Sequence, residues 1–191
     1  MSEKVTTLPK QAVSIETIVI VGIFTALSAV ISALPIGITF AMAFLGFALG
    51  PVLGTASCGI YILMGLIGLP VYNGYTSGPG VLFGITGGFL FGFLFLSFLS
   101  GVGMKFTKKD YYPVLKNIIV IVFSLIGLVI CHLLGSAQFS VLCHKTFSES
   151  FLLVSLPYIP KDIVSVILAY VIAASVRTAL SKAKLLPESI R

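Results

Sequence analysis

Charge is what this sequence has least of. Only 9% of its 191 residues are Asp, Glu, Lys or Arg, where a soluble domain carries about 25%. A water-facing surface cannot be built from so few, so an ordinary soluble fold is excluded. Acids are the scarcer sign, six against twelve basic residues. They are scattered, so the paired carboxylates of acid–base catalysis are missing. Histidine occurs only as His132 and His144, neither with an obvious partner. No GxxxxGK[ST] run occurs, so an ATP site of that kind is absent from the sequence. Three cysteines, Cys58, Cys131 and Cys143, are an odd number without regular spacing and do not read as a disulfide framework. Cys131-His132 and Cys143-His144 lack the ligand clusters of a metal centre. The plain reading is a buried thiol, a polar span residue and a loop pair. No catalytic residue, metal site or cofactor is expected.

What is present is apolar. The chain is 58% hydrophobic, its mean hydropathy is +1.13, and apolar runs of about 18 residues or more mark membrane spans. An all-α, polytopic membrane protein is expected, one bundle of six transmembrane helices forming a single domain over residues 1–191. The spans read as residues 14–33, about Ile38 to Leu49, Val52 to Leu69, Val81 to Val102, Val114 to Leu134, and Pro160 to Leu180. The first run is too long for the core of a cleaved signal peptide and reads as a retained helix. The second, bracketed by Pro35 and Pro51, is too short to cross upright. It must tilt, continue through Gly37, or sit within the bundle.

Basic residues set the orientation. Lys4 and Lys10 precede the first span. Lys105, Lys108, Lys109 and Lys116 separate the fourth from the fifth, and Arg177, Lys182, Lys184 and Arg191 close the chain. With six spans these fall on one side, leaving Lys145 and Lys161 on the other. Residues 1–13 and 182–191 are therefore expected in the cytoplasm. The net charge of +6 is explained by topology and calls for no nucleic-acid partner.

Between the third and fourth spans lies "PVYNGYTSGPGVLFGITGGFLFGF", Pro70 to Phe93. Gly74, Gly78, Pro79 and Gly80 oppose a helix there. Irregular backbone near a bilayer is tolerated where protein buries it or where it lines a cavity. The segment reads as a structured outer loop over a pocket, with a plain exposed turn as the other reading. Tyr72, Asn73, Tyr75, Thr76 and Ser77 supply rings, donors and acceptors suited to an uncharged small molecule with polar edges. Gly84, Gly88 and Gly92 have small-xxx-small spacing, as do Gly22 with Ala26 and Ala29 with Ala33. These are helix-packing faces, inside the chain or, on the first span, toward another subunit.

The last span opens with "LPYIPKDIVSV", residues 156–166. Pro160 and Asp162 suit a first helical turn. An acid at membrane depth is also a binding candidate, able to accept two N–H bonds. Ser165 shares its face, whereas Lys161 points about 100° away, so Lys161 and Asp162 are not expected to face one pocket squarely.

The stretch Tyr61 to Phe93 resembles the signature region of the BioY family, in "GLPV" at Gly68 to Val71 and "TGG" at Thr86 to Gly88. "LPYIPKDIVSV" is similar to the family's segment at the start of its last span. The chain departs from the pattern where Ile85 replaces a proline, Lys161 a glycine and Ser165 a lysine. A glutamine is also missing from "IGIT", Ile36 to Thr39. The resemblance implies a biotin-capturing (S) component of an energy-coupling factor transporter, with biotin as ligand rather than cofactor. Biotin would enter from outside, beneath loop 72–80. Asn73 and Asp162 would meet the ureido group, and Tyr72, Tyr75 and Tyr158 would pack the rings. Lys161, Ser165 or backbone N–H groups would hold the carboxylate. The implied partners are a transmembrane coupling subunit, docked on the face of Gly22, Ala26, Ala29 and Ala33, and two ATPases. Two other readings stand beside this one. One is an S component for a different small vitamin. The other is a membrane enzyme acting on a lipid, which would ask for several carboxylates or histidines in one cavity.

Overall fold

The computed structural model describes residues 14–32, 34, 37–106 and 112–183. Regular structure among them is helical: α1 (Ile15–Ser32), α2 (Gly37–Leu66), α3 (Pro79–Leu82), α4 (Gly87–Phe106), α5 (Pro113–Leu142), α6 (Phe147–Val154) and α7 (Ile159–Lys182), with a 3-10 turn at Asn73–Tyr75. Five of these, α1, α2, α4, α5 and α7, are long and apolar enough to cross a membrane.

The expected second and third spans appear as the single segment α2, but Gly50 inside it has φ 77° and ψ −178°. That conformation suits glycine, and Pro51, which has no N–H to satisfy, opens the next helical arm. The two arms fold back on each other. A Cβ placed on Gly54 would lie 2.6 Å from the carbonyl oxygen of Leu45, whereas nine residues of straight helix would separate those positions by about 13 Å. The first arm is buried without interruption from Thr39 to Gly50. A helix apolar all round is stable only inside a bundle. Of the three alternatives for this short run, the structure shows it within the bundle and starting at Gly37.

Boundaries shift elsewhere. The fourth expected span begins six residues early, because α3 ends at Leu82 and Phe83 to Thr86 form turns before α4. The fifth is extended to Leu142. Its "GSAQFS" is polar but contains no proline, and the helix ends only before His144, which has positive φ. The approach to the last span is a separate short helix, α6. Thr146 caps it, accepting from the Glu149 N–H while the Glu149 carboxylate accepts from the Thr146 N–H.

Small residues bring the helices together. Gly88 of α4 lies against the Leu134 carbonyl, Gly92 against Cys131, and Gly127 of α5 against Leu96. Gly84 lies before α4 rather than on it. The α5 stripe of Ser124, Gly127, Leu128, Cys131, His132, Gly135 and Ser136 is buried, the period of a helix face turned inward.

Candidate functional site

The site is built on the first turn of α7. The Asp162 N–H donates to the Tyr158 carbonyl at 2.9 Å, and the residue is 5% exposed. The Lys161 ammonium approaches Oδ1 at 2.9 Å, and His132 Nε2 approaches Oδ2 at 3.4 Å from α5. The Thr39 side chain, at the start of α2, faces the same carboxylate. A bare carboxylate in an apolar bundle is costly. Three elements meet that cost here by converging on one acid.

Lys161 does not diverge from Asp162 as backbone direction suggests. Its four-carbon stem turns the ammonium back onto the carboxylate, while its side chain stays 45% exposed. The ammonium also lies beside Gly37. Ser165 is buried on the Asp162 face, and its hydroxyl donates to the Lys161 carbonyl at 2.9 Å.

The loop after α2 is pinned at both ends. The Val71 carbonyl accepts from the Ser32 hydroxyl at 2.9 Å and from the Tyr61 hydroxyl at 2.7 Å. The Gly78 N–H donates to Gly65, and the Gln138 amide of α5 donates to the carbonyls of Leu82 and Gly84. Tyr72 is turned inward, 1% exposed. Its hydroxyl donates to the Ile62 carbonyl at 2.6 Å, its ring fills the space over Gly65, and it meets Tyr61 edge-on. Burial pushes the Tyr72 phenol above its ordinary pKa, so it remains a donor at neutral pH. Asn73 and Tyr75 stand exposed at the tip between these anchors, and Tyr158 is exposed at the entry to α7.

The structure thus brings Lys161, Asp162 and Ser165 to one end of α7. Tyr72 is engaged as a staple between loop and helix. Among the described residues no hydrogen bond joins loop 72–80 to Asp162. His132 and Thr39 are the site residues that sequence reasoning missed. Thr39 lies in the "IGIT" segment compared with the family, and its place in the first turn of a buried helix was the available signal. His132 falls on the α5 small-residue stripe, so its inward direction was readable, but its partner was not. On α1, Gly22 and Ala26 are exposed and Ala29 packs partly inward, while Ala33 lies outside the described residues. Among the described residues, no group of three or more His, Cys, Asp or Glu side chains is placed to hold a metal ion.

Comparison with known proteins agrees with the motif reading. The model of the BioY family matches residues 3–182. A probable biotin transporter BioY of Pyrococcus horikoshii is 33% identical over 165 residues, covering 81% of this chain and 91% of that protein. A biotin transporter BioY of Lactococcus lactis is 31% identical over 185 residues, 92% of this chain and 93% of that one. A crystal structure of the S-component for biotin from an ECF-type ABC transporter superposes with a TM-score of 0.72. Its sequence identity is 28%, over 85% of this chain and 91% of that chain.

Proposed function

This chain belongs to the BioY family, and from that membership we propose that it captures biotin at the outer face of a membrane and delivers it to an ATP-driven coupling module. It is a biotin-binding uptake subunit, not an enzyme. The observation that carries the site assignment is the buried Asp162 carboxylate, oriented by groups from α2, α5 and α7. A ureido ring presents two N–H donors, and a carboxylate offers about four lone-pair sites. Asp162 can therefore accept from biotin while keeping its protein partners. Asn73 would come down from the loop tip onto the ureido carbonyl or its second N–H. Tyr75 and Tyr158, exposed in the free protein, would close on the bicyclic rings. The Lys161 ammonium and the Ser165 hydroxyl are the nearest donors for the valerate carboxylate.

Six crossings fit the fold. Gly101, near the end of α4, abuts the Gly50–Pro51 turn, and Arg177, near the end of α7, donates to Phe47 and Ala48 just before that turn. One end of the bundle therefore gathers Lys105, Arg177 and Lys182, the expected cytoplasmic side. The other gathers Thr39, the loop and Asp162. The exposed Gly22 and Ala26 offer a surface for close approach of a coupling subunit.

The test is saturable binding of labelled biotin by the purified protein, challenged with unlabelled biotin, riboflavin and thiamin. Displacement by biotin alone is expected, with Asn73→Ala weakening it. Absence of saturable biotin binding, or displacement by another vitamin in preference, would overturn the substrate.

A further inference from the structure

We propose that Tyr61 and Ser32 are positioning residues for biotin capture: together they grip the Val71 carbonyl and so set the aim of Asn73. The proposal rests on the reading of Asn73 as a ligand contact.

Tyr61 of α2 and Ser32, the last residue of α1, are completely buried. A buried hydroxyl needs a partner, and both find it on one atom. The Tyr61 hydroxyl donates to the Val71 carbonyl at 2.7 Å. The Ser32 hydroxyl lies 2.9 Å from the same oxygen and 2.9 Å from the Ala29 carbonyl one turn back, and shares its hydrogen between them. A carbonyl oxygen has two lone pairs, so α1 and α2 each hold one of Val71's. The next residue, Tyr72, is locked in the reverse sense. Its hydroxyl donates to the Ile62 carbonyl at 2.6 Å, and its ring meets that of Tyr61 with centroids 5.9 Å apart. The two tyrosines thus exchange hydroxyl–carbonyl bonds across the junction of α2 and the loop.

Beyond this clamp the tip is a closed turn. The Tyr72 N–H donates to the Thr76 carbonyl at 3.1 Å, the Tyr75 N–H to the Tyr72 carbonyl at 3.0 Å, and the Thr76 hydroxyl to the Asn73 carbonyl at 2.9 Å. Gly74 supplies the positive φ, 70°, that the turn requires. The Gly78 N–H closes the far side on the Gly65 carbonyl at 2.7 Å. Asn73 is therefore carried, exposed, on a turn braced within itself, and its direction is inherited from Val71 and Tyr72. Hydrogen bonds weaken steeply with angle, whereas apolar contact is non-directional. A tip that swings loses the Asn73 bond before it loses the packing of Tyr75. A loop held in its binding geometry also avoids part of the ordering cost of association.

The experiment is a double-mutant cycle read by equilibrium binding of labelled biotin, with thermal melting of each purified protein in detergent. Tyr61→Phe keeps the ring pair and removes the donor. Ser32→Ala removes the other donor and leaves both rings in place, so it decides the matter should Tyr61→Phe fail to melt cooperatively. Tyr61→Phe is expected to weaken binding about fivefold, the scale of one hydrogen bond, and Ser32→Ala, whose bond is shared, about threefold. In an Asn73→Ala background the Tyr61→Phe effect should fall below about twofold and the Ser32→Ala effect should vanish, because the group they aim is gone. A merely structural loss would carry over undiminished. If Asn73→Ala weakens binding but neither variant does, or if their effects persist in full in the Asn73→Ala background, the inference is overturned and Asn73 remains a ligand contact. If wild type does not bind biotin, or Asn73→Ala binds it as wild type does, the reading of Asn73 fails and the inference with it.

Discussion

A single carboxylate inside an apolar bundle sets the terms at the scale of the residue. Asp162 is tolerable there because Lys161 stands 2.9 Å from one oxygen, while His132 and Thr39 approach from two other helices. Removing any one leaves the acid less well held, and removing the acid leaves buried donors unpaired. Thr39→Val should weaken biotin binding about fivefold, the worth of one polar contact of about 1 kcal/mol, measured by equilibrium binding at neutral pH. An unchanged affinity would show that the threonine serves the fold alone. Asp162 itself was legible, since an acid among apolar residues announces itself. His132 was not, because 30 residues separate it from Asp162 and only the packing of α5 against α7 makes them neighbours. The reach of Lys161 was hidden for a different reason: helix periodicity describes where a Cβ points, not where a long flexible stem ends.

The element that organises the bundle is the hairpin inside α2. Turning at Gly50–Pro51 frees the last carbonyls of the first arm, and the Arg177 guanidinium supplies donors to Phe47 and Ala48 at 3.2 and 3.3 Å. A cation at a helix C-terminus is favoured by the helix dipole as well. Arg177→Met should lower thermal stability in detergent by about 1.5–3 kcal/mol, the range for bonds to a charged group, with Arg177→Lys losing less. Gly54 carries the close approach of the two arms. Gly54→Val should cost about 1–3 kcal/mol through overpacking and lower the melting temperature; a melt equal to wild type would contradict the folded-back geometry. Proline and glycine side by side made this turn visible in the sequence, though not its angle, which depends on the contact of Gly54 with Leu45. The α6 helix was not foreseen, although Thr146 and Glu149 have capping-box spacing, and the Thr146 hydrogen bonds hold the Glu149 carboxyl below its ordinary pKa. Nor was the extension of α5 to Leu142, because Ser136, Gln138 and Ser140 look like loop residues until their partners are seen. Ser136 pairs with Ser155, Gln138 with the loop, and Ser140 with its own helix.

Across the whole molecule the two ends of the bundle differ. Lys105, Arg177 and Lys182 gather where the α2 hairpin turns. Asp162, Thr39 and the pinned loop gather at the other end. Cys143 lies at the foot of α5 on the loop side and is partly exposed, whereas Cys58 and Cys131 are buried. A membrane-impermeant thiol reagent should label Cys143 in intact cells, with no labelling in Cys143→Ser. Labelling that appears only after permeabilisation would invert the proposed orientation. Overall helical architecture and family were legible because hydropathy and the Tyr61 to Phe93 motif are local signals. The way three helices close on Asp162 was not, because it depends on packing over long separations. The proposed capture of biotin has that acid presenting itself to the ureido ring, and the affinity of folded Asp162→Asn for biotin tests it most directly. The account predicts a loss of at least about a hundredfold, the scale of breaking charge-assisted bonds in a buried site; affinity within twofold of wild type would contradict it.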